Sequence, residues 1–131
     1  MTTPTTASPG LSTYRESVTL DLAALVDRLR AVLGARLVAY LGGVKETRAV
    51  RQWAAGERVP SHVVAQRLRL AYQVAGLIVE SQNSPAVVQA WFQGANPQLE
   101  DRSPARVLRE DDTDGVGPQV LSAARAFARI G

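Results

Sequence analysis

Cysteine is absent from the chain, which removes disulfides, thiolate metal sites and cysteine nucleophiles from consideration. Histidine occurs once. His62 sits beside a predicted helix start with no triad partner or second metal ligand at a recognisable spacing, so it reads as a surface residue. Asp111, Asp112 and Asp114 lack the regular oxygen spacing and closing glutamate of a calcium loop, and read as a solvated loop. Gly42-Gly43 is not followed by the Lys-Ser/Thr of a phosphate loop, and no serine is framed as a nucleophile. Enzymatic chemistry finds no support, and no cofactor or metal is implied. No apolar run approaches the roughly eighteen residues of a membrane span, and no basic-then-apolar leader opens the chain. A soluble, cytoplasmic protein without membrane contact is expected. No stretch alternates with period two and no hairpin dipeptide separates β-rich runs, so the fold should be all-α.

The 131 residues suffice for one domain-sized core. The net charge of +3 conceals a division along the sequence. Between Arg28 and Arg69, nine cations stand against Glu46 and Glu57; between Glu80 and Asp114, seven acids stand against Arg102, Arg106 and Arg109. A polyanionic partner is expected for the first stretch and a neutral or basic one for the second.

Residues 1–20, rich in Thr, Pro and Ser, cannot offset their ordering entropy by burial and are expected to form a disordered tail. Helices are predicted over 21–33, closed by Gly34, and over 35–41. A long helix capped by Ser61 should run to about residue 82. It carries two apolar stripes, one through Val64, Leu68, Ala71, Ala75 and Ile78 and another through Leu70, Val74 and Leu77, which imply burial on two sides and a connecting or dimerising role. Gly76 inside it implies close packing against another helix. Ser84-Pro85 and Ser103-Pro104 each pair an N-cap with proline at the first helical position and should start two short helices. Residues 111–117 read as a loop, with Pro118 opening a last amphipathic helix.

Residues 39–60 organise the rest. They read as two short helices joined at Gly42 and Gly43, glycines that permit the positive φ of a sharp reversal. In the second helix Val50 and Trp53 point one way, while Arg48, Arg51 and Gln52 point the other. One face packs and the other carries donors, the division a DNA-recognition helix requires. Lys45, Thr47 and Arg58 flank that face, and Gly56 and Pro60 end the helix. A helical hairpin with Trp53 as core and the arginines as a solvated face fits the same residues.

Through Ala39, Gly43, Val44, Val50, Trp53 and Gly56, this stretch resembles the helix-turn-helix of Xre-like regulators, although Gly42 stands where an aliphatic residue is usual. The second half, through Trp91-Phe92, Asn96-Pro97, Leu99, Pro104, Val107-Leu108, Gly115 and Val120, resembles the toxin-binding domain of Xre/ParS-type antitoxins. Glu100-Asp101-Arg102-Ser103 replaces a stretch where that family commonly has glycine. On their own, Trp91, Phe92, Leu99 and Leu108 read as core.

After the tail over 1–20 that composition predicts, the resemblance, which covers about Leu22 to the C-terminus, implies a helix-turn-helix domain over 21–60, a connecting or dimerisation helix over 61–83 and a toxin-binding domain over 84–131. It implies a type II antitoxin that neutralises a RES-domain, NAD-degrading toxin by direct binding and represses its own operon. Operator DNA would meet Lys45, Thr47, Arg48, Arg51, Gln52 and Arg58. The toxin would meet Arg125, Arg129, Ile130 and Gly131, because in that family the C-terminal part blocks the toxin's NAD cleft. The assembly would be a homodimer or a larger toxin-antitoxin hetero-oligomer. The alternative is a stand-alone helix-turn-helix transcriptional regulator.

Overall fold

A computed structural model describes residues 10–130, and within them all regular structure is helical. Eight α-helices occur: α1 (Leu11–Thr19), α2 (Leu22–Leu33), α3 (Ala35–Gly42), α4 (Thr47–Ala54), α5 (His62–Ser81), α6 (Pro85–Gln93), α7 (Pro104–Glu110) and α8 (Thr113–Ile130). A 3₁₀ turn, Pro97–Leu99, separates α6 from α7.

Local chemistry sets most of these limits. The side chains of Asp21, Ser61, Ser84 and Ser103 accept hydrogen bonds from Ala24, Val64, Val87 and Arg106 N–H, capping α2, α5, α6 and α7. At the C-terminal ends, where carbonyls lack intrahelical partners, side chains from distant helices supply donors. Arg69 donates to Ser17 and Leu20 O after α1, Gln89 to Val32 O in α2, and Arg67 to Leu41 O in α3.

α5 is the central strut, with α8 against it and α1, α2 and α3 on its other sides. Leu68, Ala71, Val74, Ala75, Leu77 and Ile78 are all buried. Most of its two apolar stripes is therefore filled within the chain, while Val64 and Leu70 remain half-buried. The core continues from Leu25 in α2 through Val50, Leu68 and Phe92 to Ala124 in α8.

Two expectations require correction. The tail expected over 1–20 is helical from Leu11 to Thr19, the earlier residues 1–9 lying outside those described. α1 docks on α5 with little apolar bulk. Thr13 and Ser17 are buried, Gly10 N–H and Thr13 Oγ1 donate to the Glu80 carboxylate at 2.9 and 3.0 Å, and Tyr72 donates to Glu16 at 2.9 Å. Gly76 lies so close beneath Thr13 that a Cβ there would collide with it, which accounts for glycine inside α5.

The second correction concerns α8, which begins at Thr113 and holds Pro118 in its second turn. Asp112 starts it, its carboxylate accepting from Gly115 N–H at 3.3 Å and its carbonyl from Val116 N–H at 3.0 Å. Pro118, the sixth residue of the helix, is exposed and removes one backbone bond there.

Candidate functional site

α3 and α4 form the hairpin read from the sequence, with a division of labour at its glycines. Gly43 alone of the pair has a positive φ, 73°, and its N–H bonds back to Tyr40 O, closing α3. Gly42 is helical and buried, and a Cβ on it would lie 2.7 Å from Cη2 and Cζ3 of Trp53. The indole of α4 thus occupies the volume that an aliphatic side chain at position 42 would need. Ala49, Val50 and Trp53 seat α4 against α2 and α3.

The opposite face of α4 is open. Thr47, Arg48 and Arg51 are exposed and Gln52 is half-buried. Arg58 follows the helix and donates to Gln52 Oε1 at 3.3 Å, so these two share one surface. Lys45 and Arg48 border two concavities on either side of the α4 N-terminus, one reaching Gln52 and Arg58. The structure brings Lys45, Thr47, Arg48, Arg51, Gln52 and Arg58 together on and around α4. Guanidinium and amide groups placed this way can address phosphate oxygens and base edges.

The other concavity contains residues that sequence spacing did not single out. Arg36 of α3 and Arg109 of α7 line it with Lys45, Glu46 and Arg48. The guanidinium carbon of Arg109 stands 4.5 Å from the centre of the Tyr40 ring. Behind it, burial and then the nearby Arg109 push the Arg67 guanidinium below its ordinary value. A count of charge along the chain assigns Arg109 to the acidic stretch; only the packing of α7 on α3 carries it into the basic one.

Arg125, Arg129 and Ile130 are exposed on α8, Ile130 at 86%; Gly131 lies outside the described residues. α8 packs on α5, α7 and the 3₁₀ turn, whereas α4 packs on α2 and α3, so the two groups of site residues occupy different elements. Beneath α8, Trp91 meets Phe92 edge-on at 5.3 Å and Phe127 at 6.4 Å. Trp91, Phe92, Leu99 and Leu108 are buried and act as scaffold.

Asn96 organises the turn beside them. Its side chain accepts from Gln98 N–H, its carbonyl from Leu99 and Asp101 N–H, and its own N–H donates to Arg102 O. Glu100 and Asp101 adopt left-handed φ values of 59° and 66°, the conformation glycine would supply, and a bidentate Arg102–Asp111 pair at 3.2 and 3.0 Å ties the turn to the end of α7. Among the described residues, no group of His, Asp and Glu could hold a metal ion, and no helix is long and apolar enough to cross a membrane.

No protein-family model matches the chain. No curated protein matches it. Among solved structures, it is similar to a chain in the crystal structure of the M. tuberculosis MbcT-MbcA toxin-antitoxin complex, with a TM-score of 0.62 and 27% sequence identity. The likeness covers 82% of this chain and 94% of that one.

Proposed function

We propose that this chain is the antitoxin of a type II toxin-antitoxin pair, binding a RES-domain, NAD-degrading toxin directly and repressing its own operon through α4. The observation that carries the antitoxin reading is the likeness to a component of a solved toxin-antitoxin complex across 94% of that component. The RES-domain partner rests on the resemblance of the second half, from Trp91 to Val120, to Xre/ParS-type antitoxins. The repressor role rests on the exposed donors of α4 beside a firmly packed Trp53. The protein works by binding, with no catalytic step of its own. Palindromic operator DNA presents two half-sites, so the repressing species contains at least two copies, as a homodimer or within a hetero-oligomer with toxin.

Arg125, Arg129 and Ile130 supply the toxin contact in this reading, joined by Gly131. The test is co-expression with the toxin encoded beside it, with growth and cellular NAD as readouts. Because Phe127 packs near Trp91 and Ser81 donates to Ala128 O, the variant should remove only residues 129–131 and carry Arg125→Glu. Full-length protein should co-purify with the toxin and preserve NAD, and the variant should protect far less while still binding operator DNA. Equal protection by a folded variant would exclude the α8 tip as the contact. Failure of the full chain to bind or protect, with operator binding intact, would leave a stand-alone regulator as the better account.

A further inference from the structure

We infer that the DNA-binding surface extends beyond the helix-turn-helix into the second half of the chain, where Arg109 of α7, with Arg36 of α3, grips the phosphate backbone flanking the recognition helix. This inference rests on the operator-binding reading above and adds a contact from a helix outside it.

Four cations, Arg36, Lys45, Arg48 and Arg109, line one concavity against a single carboxylate, Glu46. Among the described residues, none of the four is in an ion pair. Arg67 adds a further positive charge close to Arg109. Like charges brought together without counter-ions create a positive potential that a polyanion relieves.

The Arg109 guanidinium is also pre-positioned. Its central carbon stands over the Tyr40 ring, 4.5 Å from the centre, a contact that holds the group at the concavity without neutralising its charge. The first turn of α4 opens on the same concavity through Glu46, Thr47 and Arg48, and Glu46 makes no side-chain cap there. Backbone N–H groups of that turn therefore add to the positive field.

Continuity favours nucleic acid over a small anion. The concavity of about 740 Å³ holding Arg109 and the neighbouring one of about 490 Å³ holding Gln52 and Arg58 share Val44, Lys45, Glu46 and Arg48. A single phosphate fills only part of one, whereas a sugar-phosphate strand can follow both past the α4 N-terminus. Contacts of this type set affinity and register without reading sequence.

The experiment measures affinity against salt by fluorescence anisotropy for wild type, Arg109→Ala, Arg109→Lys and Arg51→Ala. The probes are a duplex from the region upstream of the protein's own coding sequence and a scrambled duplex of the same composition. Arg109→Ala should weaken both duplexes about fivefold, as loss of an exposed charge contact does, and lower the slope of log K against log salt by roughly 0.9. Arg109→Lys should keep the wild-type slope, because lysine still neutralises a phosphate, and circular dichroism should show every variant folded.

An unchanged slope in folded Arg109→Ala, while Arg51→Ala loses operator preference, would overturn the α7 contact and leave the helix-turn-helix reading intact. Loss of toxin binding by Arg109→Ala with DNA binding unchanged would also overturn it, making the surface protein-facing. Wild type that binds neither duplex at low salt would remove both readings.

Discussion

Replacing Gly42 by alanine tests whether the contact between α3 and the Trp53 ring sets the geometry of the α3–α4 hairpin. The new methyl would stand 2.7 Å from two indole carbons and 3.8 Å from Val64 Cγ1. Carbon atoms in contact prefer roughly 3.5–4.0 Å, so the ring or one helix has to move by about 1 Å. Trp53 is only 5% exposed and its indole is rigid, leaving the ring little room to retreat. Overpacking of this kind costs about 1–3 kcal/mol, while alanine in place of helical glycine returns about 1 kcal/mol.

The overpacking outweighs the propensity, and Gly42→Ala should lose about 1 kcal/mol of stability in urea denaturation, with an unchanged m-value. If α4 tilts to make room, the operator affinity proposed for it should fall as well. A double-mutant cycle isolates the cause. In a Trp53→Leu background, already weakened by its cavity, Gly42→Ala should become neutral or stabilising, with a coupling of at least about 1 kcal/mol. A stabilising Gly42→Ala in the wild-type background, or mutational effects that simply add, would refute the steric argument.

Removing the Glu80 carboxylate should release α1, since Gly10 N–H and Thr13 Oγ1 both donate to it. Glu80→Ala should cost about 1–2 kcal/mol and accelerate amide exchange across residues 11–19 while leaving α6 and α7 protected. Uniform exchange across the chain would mean that α1 is not a separately docking unit. Glu100→Gly should stabilise the protein by about 0.5–1 kcal/mol in the same denaturation assay, because a left-handed residue costs about 1–2 kcal/mol and the added chain entropy of glycine about 0.5–1. A loss of stability there would show that the Glu100 side chain contributes more than its backbone costs.

The local signals were legible because each acts over a few residues. Asp21, Ser61, Ser84 and Ser103 accept from N–H groups three residues ahead, and Gly34, Gly43 and Gly56 take the positive φ that stops a helix. Spacing alone also separated Val50 and Trp53 from Arg48 and Arg51. α1 was not legible, since what orders it lies some seventy residues away: Gly10 and Thr13 meet Glu80 at separations of 70 and 67 residues. A composition rule counts the weak apolar content of a segment and cannot see a glycine groove on another helix waiting for a threonine. The start of α8 was missed for a nearer reason. Pro118 looks like a first-turn residue, but Asp112 caps the helix earlier and places Pro118 in its second turn.

Charge shows most clearly how order along the chain differs from order in space. The stretch from Glu80 to Asp114 carries excess acid and suggested a negative face for a neutral or basic partner. Folding commits much of that acid internally. Glu80 holds the start of α1, Glu110 pairs with Arg106, Asp111 pairs with Arg102, and Asp112 caps α8. Arg109, one of the cations within that same stretch, leaves it for the groove beside α4, where Arg36, Lys45 and Arg48 form no ion pair among the described residues. The basic surface is therefore larger than the sequence division implies and the acidic one smaller. The toxin contact proposed on α8 is therefore not assigned to a broad acidic face. In that proposal discrimination rests on the shape and charge of the α8 tip, where Arg125 and Arg129 lie one turn apart and Ile130 is exposed.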